Sequence, residues 1–104
     1  MLPLMFDPAL PVLLVGRGPQ TVKRLAILDG AGASRVVVRS DRPSALLELR
    51  AGKRLRLGSI TPTKGEIAEA RLLFVGDLPE AEAAPIAAAA RRARVPVNVE
   101  DQMT

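Results

Sequence analysis

The stretch "VLLVGRGPQTVKRLAIL", Val12 to Leu28, decides how the chain is read. A continuous aliphatic run ends at Gly16, and such a run suits a strand buried on both faces of a sheet. Gly16-Arg17-Gly18 then turns the chain. Pro19 suits the first helical position, where its missing N–H breaks no helical hydrogen bond. Val22, Leu25, Ala26 and Leu28 follow at helical spacing, and Gly30 with Gly32 supplies the stop. Strand, glycine turn and helix in that order make a phosphate-binding layout. It departs from the usual pattern where Thr21 stands in place of a third glycine.

The same alternation continues to the end of the chain. "RVVVR" (Arg35 to Arg39) is the second strand, and Ser40 or Asp41 is the candidate cap of the next helix, with Pro43 near its start. "RLRLGS" alternates and gives a third strand, whereas "TPTKGEIAEA" predicts only one or two helical turns. "RLLFVG" (Arg71 to Gly76) is the fourth strand. Asp77, Pro79 and Glu80 resemble an N-cap arrangement for the alanine-rich segment that follows, whose end carries Arg91, Arg92 and Arg94 against the helix dipole. Pro85 within it predicts a late start or a bend. "VPVNV" (Val95 to Val99) is the fifth strand. Five strands alternating with helices predict an α/β fold, a Rossmann-like three-layer α/β/α arrangement. Right-handed crossovers and a switch point beside the first strand give a parallel five-stranded sheet of order 3-2-1-4-5, within a single domain over residues 1–104.

Composition narrows the chemistry. Of 104 residues, 48% are apolar, enough for a core of one domain. The two aromatics, Phe6 and Phe74, argue against base stacking on single-stranded nucleic acid. With no Cys and no His, disulfides, Cys/His zinc sites, thiol nucleophiles and Ser-His-Asp triads are excluded. No metal site is expected, and acid–base work falls to Asp, Glu or Lys. The net charge of +4 favours polyanions. The basic residues are spread along the chain, and the densest run, Arg50 to Arg56, reads as a solvated strand edge, so no nucleic-acid partner is expected. "MLPLMFDPALP" holds no basic leader, and no apolar run approaches the roughly 20 residues that span a bilayer. The expectation is a cytoplasmic protein with no membrane partner.

In a Rossmann turn the first glycine permits the tight turn and the second lets backbone approach a pyrophosphate. The third allows close helix–strand packing. The loop Gly16-Arg17-Gly18-Pro19-Gln20-Thr21 is therefore the expected cofactor cradle, with N–H groups of the helix start facing the phosphates. Pro19 removes one donor and Arg17 adds a charge at the loop tip. The ribose-reading position falls on Arg39-Ser40-Asp41. Asp41 would accept from a 2′-hydroxyl, favouring NAD, and Arg39 would pair a 2′-phosphate, favouring NADP; Asp41 as a plain helix cap stands beside both. Asp77 and Asp101 follow the fourth and fifth strands, at the edge where open α/β sheets bind ligands. Each reads either as a general base or as a capping or surface residue.

The whole chain resembles the siroheme synthase N-terminal domain, the precorrin-2 dehydrogenase and sirohydrochlorin ferrochelatase family. That family opens with a Leu-Pro-Leu/Ile-Phe segment, then a strand, Gly-Gly-Gly-x-x-Ala, a basic pair and a leucine-rich helix ending in Ala-Gly-Ala. The counterparts are Leu2-Pro3-Leu4, Gly16-Arg17-Gly18, Thr21, Lys23-Arg24 and Ala31-Gly32-Ala33. "VPVNVED" is similar to its Asn-Val-x-Asp segment, with Asn98 and Asp101 in register. The resemblance implies NAD-dependent oxidation of precorrin-2, an anionic tetrapyrrole, to sirohydrochlorin, and iron insertion in some members. It implies Asp101 as catalytic base, Asn98 and the Gly76-Asp77 segment beside the cofactor, and a homodimer. The family's Ala-Thr-Asp-Asp after the fourth strand is here Gly76-Asp77-Leu78-Pro79, and its middle glycine is Arg17. Members continue past the position of Thr104 into dimerisation and helical segments, so a complete active site is not expected in this chain. Three readings follow: an enzyme of the siroheme pathway or its nucleotide-binding half, a non-catalytic nucleotide-binding or regulatory domain of the same ancestry, and a small basic interaction module.

Overall fold

The aliphatic run after Pro11 forms the central strand, β1 (Val12–Val15), buried along its whole length. That is how a strand reads when helices cover both of its faces. The computed structural model describes residues 7–100; Leu2-Pro3-Leu4, Phe6 and Asp101 lie outside the described residues. β2 (Val36–Ser40), β3 (Leu55–Leu57), β4 (Leu72–Val75) and β5 (Val97–Val99) complete an all-parallel sheet of order β3-β2-β1-β4-β5. This is the predicted α/β Rossmann-like topology.

Among the described residues four α-helices cover the sheet: α1 (Pro19–Gly30), α2 (Ala45–Ala51), α3 (Lys64–Glu69) and α4 (Glu80–Arg92). The two-residue period of β1 divides the core. Val12 and Leu14 join Val36, Val38, Leu25, Leu28 and Leu47 under α1 and α2. Leu13 and Val15 join Leu73, Val75, Ile67, Ile86 and Ala90 under α3 and α4. The alanine-rich character of α4 is explained by its buried face, where Ala83, Ala87 and Ala90 let the helix sit close to the sheet. Leu57 is 61% exposed on the edge strand β3. Of the run Arg50 to Arg56, only Leu55 and Arg56 lie in that strand; the rest closes α2 and a 3-10 turn, with Arg50 and Arg54 paired to Asp29.

Three local expectations change. Neither Ser40 nor Asp41 caps α2; the hydroxyl of Ser44 does, accepting from Leu47 N–H at 3.1 Å. Pro43 disfavours helical backbone at Arg42, so the helix begins only after it. Asp77 does not cap α4, which starts behind Pro79 with no side-chain cap. Nor does α4 start late, since it runs from Glu80 through Pro85, a residue that cannot donate the helical hydrogen bond. The weakly patterned segment before β4 does form a helix, α3. Thr63 and Glu66 close a capping box at its start, each side chain accepting from the other residue's backbone N–H at 3.0 Å.

Register fixes where the chemistry sits. Val15 lies beside Arg39 and Val75, and Val75 beside Val99. The segments after β1, β2, β4 and β5 therefore emerge at one edge. Between β1 and its neighbours the connections go to opposite faces, and the crevice opens at that switch point.

Candidate functional site

The turn after β1 is built around Thr21. Gly16 has no room for a side chain, because a Cβ there would collide with Thr21 Oγ1 and sit 2.5 Å from the carbonyl oxygen of Gly76. A Cβ on Gly76 would lie 3.2 Å from the same Thr21 hydroxyl oxygen. Thr21 is thus wedged between two glycines and is only 2% exposed. Thr21 puts a side chain on α1 where Gly76, after β4, has none. The close packing assigned to a third glycine is kept by trading volume across the contact.

The hydroxyl of Thr21 and the first N–H groups of α1 converge on one carboxylate. Asp77 Oδ2 accepts from Gly18 N–H at 3.0 Å, Thr21 N–H at 2.9 Å and Thr21 Oγ1 at 2.7 Å, while Oδ1 accepts from Gln20 N–H at 3.0 Å. Pro19, at the first helical position, has no N–H to offer. Asp77 reaches this place from the far side of the turn because its backbone is left-handed, φ 63°, a conformation that aspartate tolerates better than most residues. The next residue, Leu78, is fully buried in the α3/α4 core. Burial pushes the Asp77 carboxyl up, but the hydrogen bonds from Thr21, Gln20 and Gly18 outweigh it and hold it below its ordinary value.

Arg17 lies across the same edge. Its guanidinium donates to Asp41 at 2.8 and 3.0 Å and to Glu82 of α4 at 2.7 and 3.1 Å. Its side chain is 14% exposed. Hydrogen bonds from Arg17 are the main reason that the Asp41 and Glu82 carboxyls lie below their ordinary values, and Asp41 followed by Glu82 raises Arg17 in return. The backbone oxygen of Arg17 accepts from Ser44 N–H at 2.7 Å, tying the loop tip to the start of α2. Arg39, pointing to the other face, pairs with Glu66 of α3 at 2.6 and 2.7 Å and donates to the carbonyl oxygen of Ser59 at 3.1 Å. Both residues proposed to read the ribose, Asp41 and Arg39, therefore already hold partners of opposite charge.

Of the other candidates, Ser40 is fully buried at the end of β2, on the α1/α2 side, and its hydroxyl has no hydrogen-bond partner among the described residues. Asn98 is exposed on β5, opposite Phe74. Asp101 lies outside the described residues. Arg24 stacks 4.6 Å over the Phe74 ring and donates to Glu100 at 2.8 and 3.1 Å, which anchors α1 to the end of β5. The structure thus gathers Gly16, Arg17, Gly18, Gln20, Thr21, Asp41, Gly76 and Asp77 around one turn. Two partners escaped sequence reasoning. Glu66 is visible in hindsight as the fourth residue of Thr63-Lys-Gly-Glu66, a capping-box spacing; nothing in the sequence links Glu82 to Arg17. A cavity of about 280 Å³ lies toward the opposite ends of the strands, lined by Pro11, Val12, Arg35, Val36 and the Arg39 partner Glu66 among others. No group of His, Cys, Asp or Glu suited to a metal ion occurs among the described residues, and no described helix is long and apolar enough to cross a membrane.

Glycine turn, helix start and switch-point crevice define a dinucleotide-binding domain of the Rossmann class. A family model described as "Putative NAD(P)-binding" matches residues 5–104. The siroheme synthase of Methylococcus capsulatus is 37% identical over 94 residues, which cover 88% of this chain and 19% of the relative. The chain belongs to this NAD(P)-binding family, that of the siroheme synthase N-terminal domain. It spans about a fifth of the length of the relative it matches. The match supports a nicotinamide dinucleotide as the cofactor. The turn itself meets the chemical requirement, since N–H groups that converge on two carboxylate oxygens can hold phosphate oxygens in the same way. The donors that would do so are the N–H groups of Gly18, Gln20 and Thr21.

Proposed function

We propose that the chain is the nucleotide-binding part of a precorrin-2 dehydrogenase-like oxidoreductase of siroheme biosynthesis. The observation that carries this reading is the anion cradle at the start of α1, where the N–H groups of Gly18, Gln20 and Thr21 meet one carboxylate. In a chain of the NAD(P)-binding family, that cradle is the place for a pyrophosphate. A bound NAD⁺ would take up the two electrons removed from precorrin-2 on its way to sirohydrochlorin. The chain's own residues would bind and orient: the cradle would hold the phosphates, and Asp41 would receive the ribose hydroxyls. Asp101, two residues after β5 in sequence, would serve as base. NAD is preferred to NADP because Asp41 lies at the same turn as the cradle, beside Arg17, whereas Arg39 points to the other face, toward Glu66 and the Ser59 carbonyl.

A second reading, a non-catalytic nucleotide-binding or regulatory domain of the same ancestry, is favoured by the engagement of Asp41 with Arg17 and of the cradle with Asp77. The two readings part in a turnover assay. The full chain, mixed with NAD⁺ and precorrin-2, is followed by the absorbance of sirohydrochlorin. Turnover that is lost in Asp101→Asn, with NAD⁺ affinity kept, supports the enzyme. NAD⁺ binding without turnover, both in this chain and in a fusion that appends the relative's segments beyond the match, leaves the non-catalytic domain.

A further inference from the structure

Resting on the dinucleotide reading of the turn, we propose that Asp77 is a resident competitor for the cofactor. Its carboxylate fills the anion cradle of α1, and a pyrophosphate enters only as that carboxylate leaves. The backbone N–H groups of Gly18, Gln20 and Thr21 each carry one hydrogen, and at 2.9–3.0 Å each is given to Asp77. A phosphate oxygen needs the same hydrogens and carries the same sign of charge, so the two anions exclude each other. The neighbouring acceptor is closed in a similar manner, since Asp41 is held by Arg17, which Glu82 holds from the other side.

The geometry also supplies the way out. Leu78 is anchored in the α3/α4 core while Asp77 reaches across to α1 on the opposite side of the turn. Rotation about the Asp77 side-chain torsions withdraws the carboxylate and leaves Leu78 in place. The cradle is thus a two-state element, filled or open, and a ligand that binds only the open state is weakened by the fraction of time the state is available.

The test is calorimetric titration of NAD⁺ into the chain, wild type against Asp77→Gly. Glycine adopts the φ of 63° without strain and removes the competing anion. The expected result is NAD⁺ binding at least tenfold tighter in Asp77→Gly, together with a lower unfolding temperature of the ligand-free variant. A tenfold gain corresponds to a wild-type cradle open about a tenth of the time. Simple structural damage would instead lower both stability and affinity. Asp77→Asn, which keeps the backbone preference and one acceptor oxygen but not the charge, is expected to fall between the two and serves if the glycine variant does not fold. Equal or weaker NAD⁺ binding in the folded variants overturns the competitor and leaves the dinucleotide reading standing. Absence of binding in wild type and folded variants alike overturns both.

Discussion

Replacing Gly16 by alanine tests the packing at the heart of the turn. The added Cβ would overlap Thr21 Oγ1 and approach the Gly76 carbonyl oxygen to 2.5 Å. The first obstacle is a short side chain packed at 2% exposure, and the second belongs to the backbone of Gly76, whose N–H donates to the Val15 carbonyl oxygen at 2.9 Å. Neither can move aside cheaply. Overpacking of a close-packed interior costs about 1–3 kcal/mol, and a backbone obstacle places Gly16→Ala near the upper end, about 3 kcal/mol by that rule. In a chain of this size that lowers the unfolding temperature by more than about 10 °C. Urea denaturation supplies the free energy, and a double-mutant cycle supplies the cause. Thr21→Ala removes the hydroxyl that the new methyl would strike, but not the Gly76 oxygen. The pair should therefore be less destabilising than the sum of its members by about 1 kcal/mol or more, as for residues in direct contact. A Gly16→Ala protein within about 0.5 kcal/mol of wild type, the range of an ordinary surface change, would refute the account. So would strict additivity with Thr21→Ala.

Asp77→Asn is expected to lower stability by about 1–2 kcal/mol at neutral pH, through loss of a charged cap at a helix N-terminus. Because the Asp77 carboxyl lies below its ordinary value in the folded chain, its contribution is present above the ordinary carboxylate range and is lost as pH falls through the folded value. Thermal unfolding across a pH series should thus show wild type and Asp77→Asn converging in acid, and a constant gap would count against the charge. Arg17→Met should release Asp41, so that NMR titration of its carboxyl carbon moves upward toward the ordinary aspartate value; an unmoved midpoint would mean that Arg17 is not what holds it. Pro85→Ala should stabilise α4 by about 1–3 kcal/mol, since an exposed proline inside a helix lacks a hydrogen bond that alanine restores.

Much of the fold was legible because it rests on periodicity. The run Val12–Val15 and the three valines of Val36–Val38 declared buried strands, and the glycines after Val15 placed the turn between β1 and α1. Local capping was less legible, because several residues compete for it. Ser40, Asp41 and Ser44 are all chemically able to cap α2, and the choice fell to Pro43 and the backbone before it. Asp77 is the sharper case. Its position after β4 and its spacing to Glu80 suggest the start of α4, yet a left-handed backbone turns it to α1, 56 residues earlier for its Thr21 partner. Such a contact is a property of the sheet order and has no local signature. The pairing of Arg17 with Glu82, 65 residues apart, is of the same kind.

The central claim is that the start of α1 is the dinucleotide cradle, and amide NMR tests it most directly. NAD⁺ titrated into the ¹⁵N-labelled chain should move the amide signals of Gly18, Gln20 and Thr21 most, with that of Asp77 among those that follow. Saturating NAD⁺ that leaves these signals in place, or that moves only residues at the opposite strand ends such as Val12 and Val36, would contradict it.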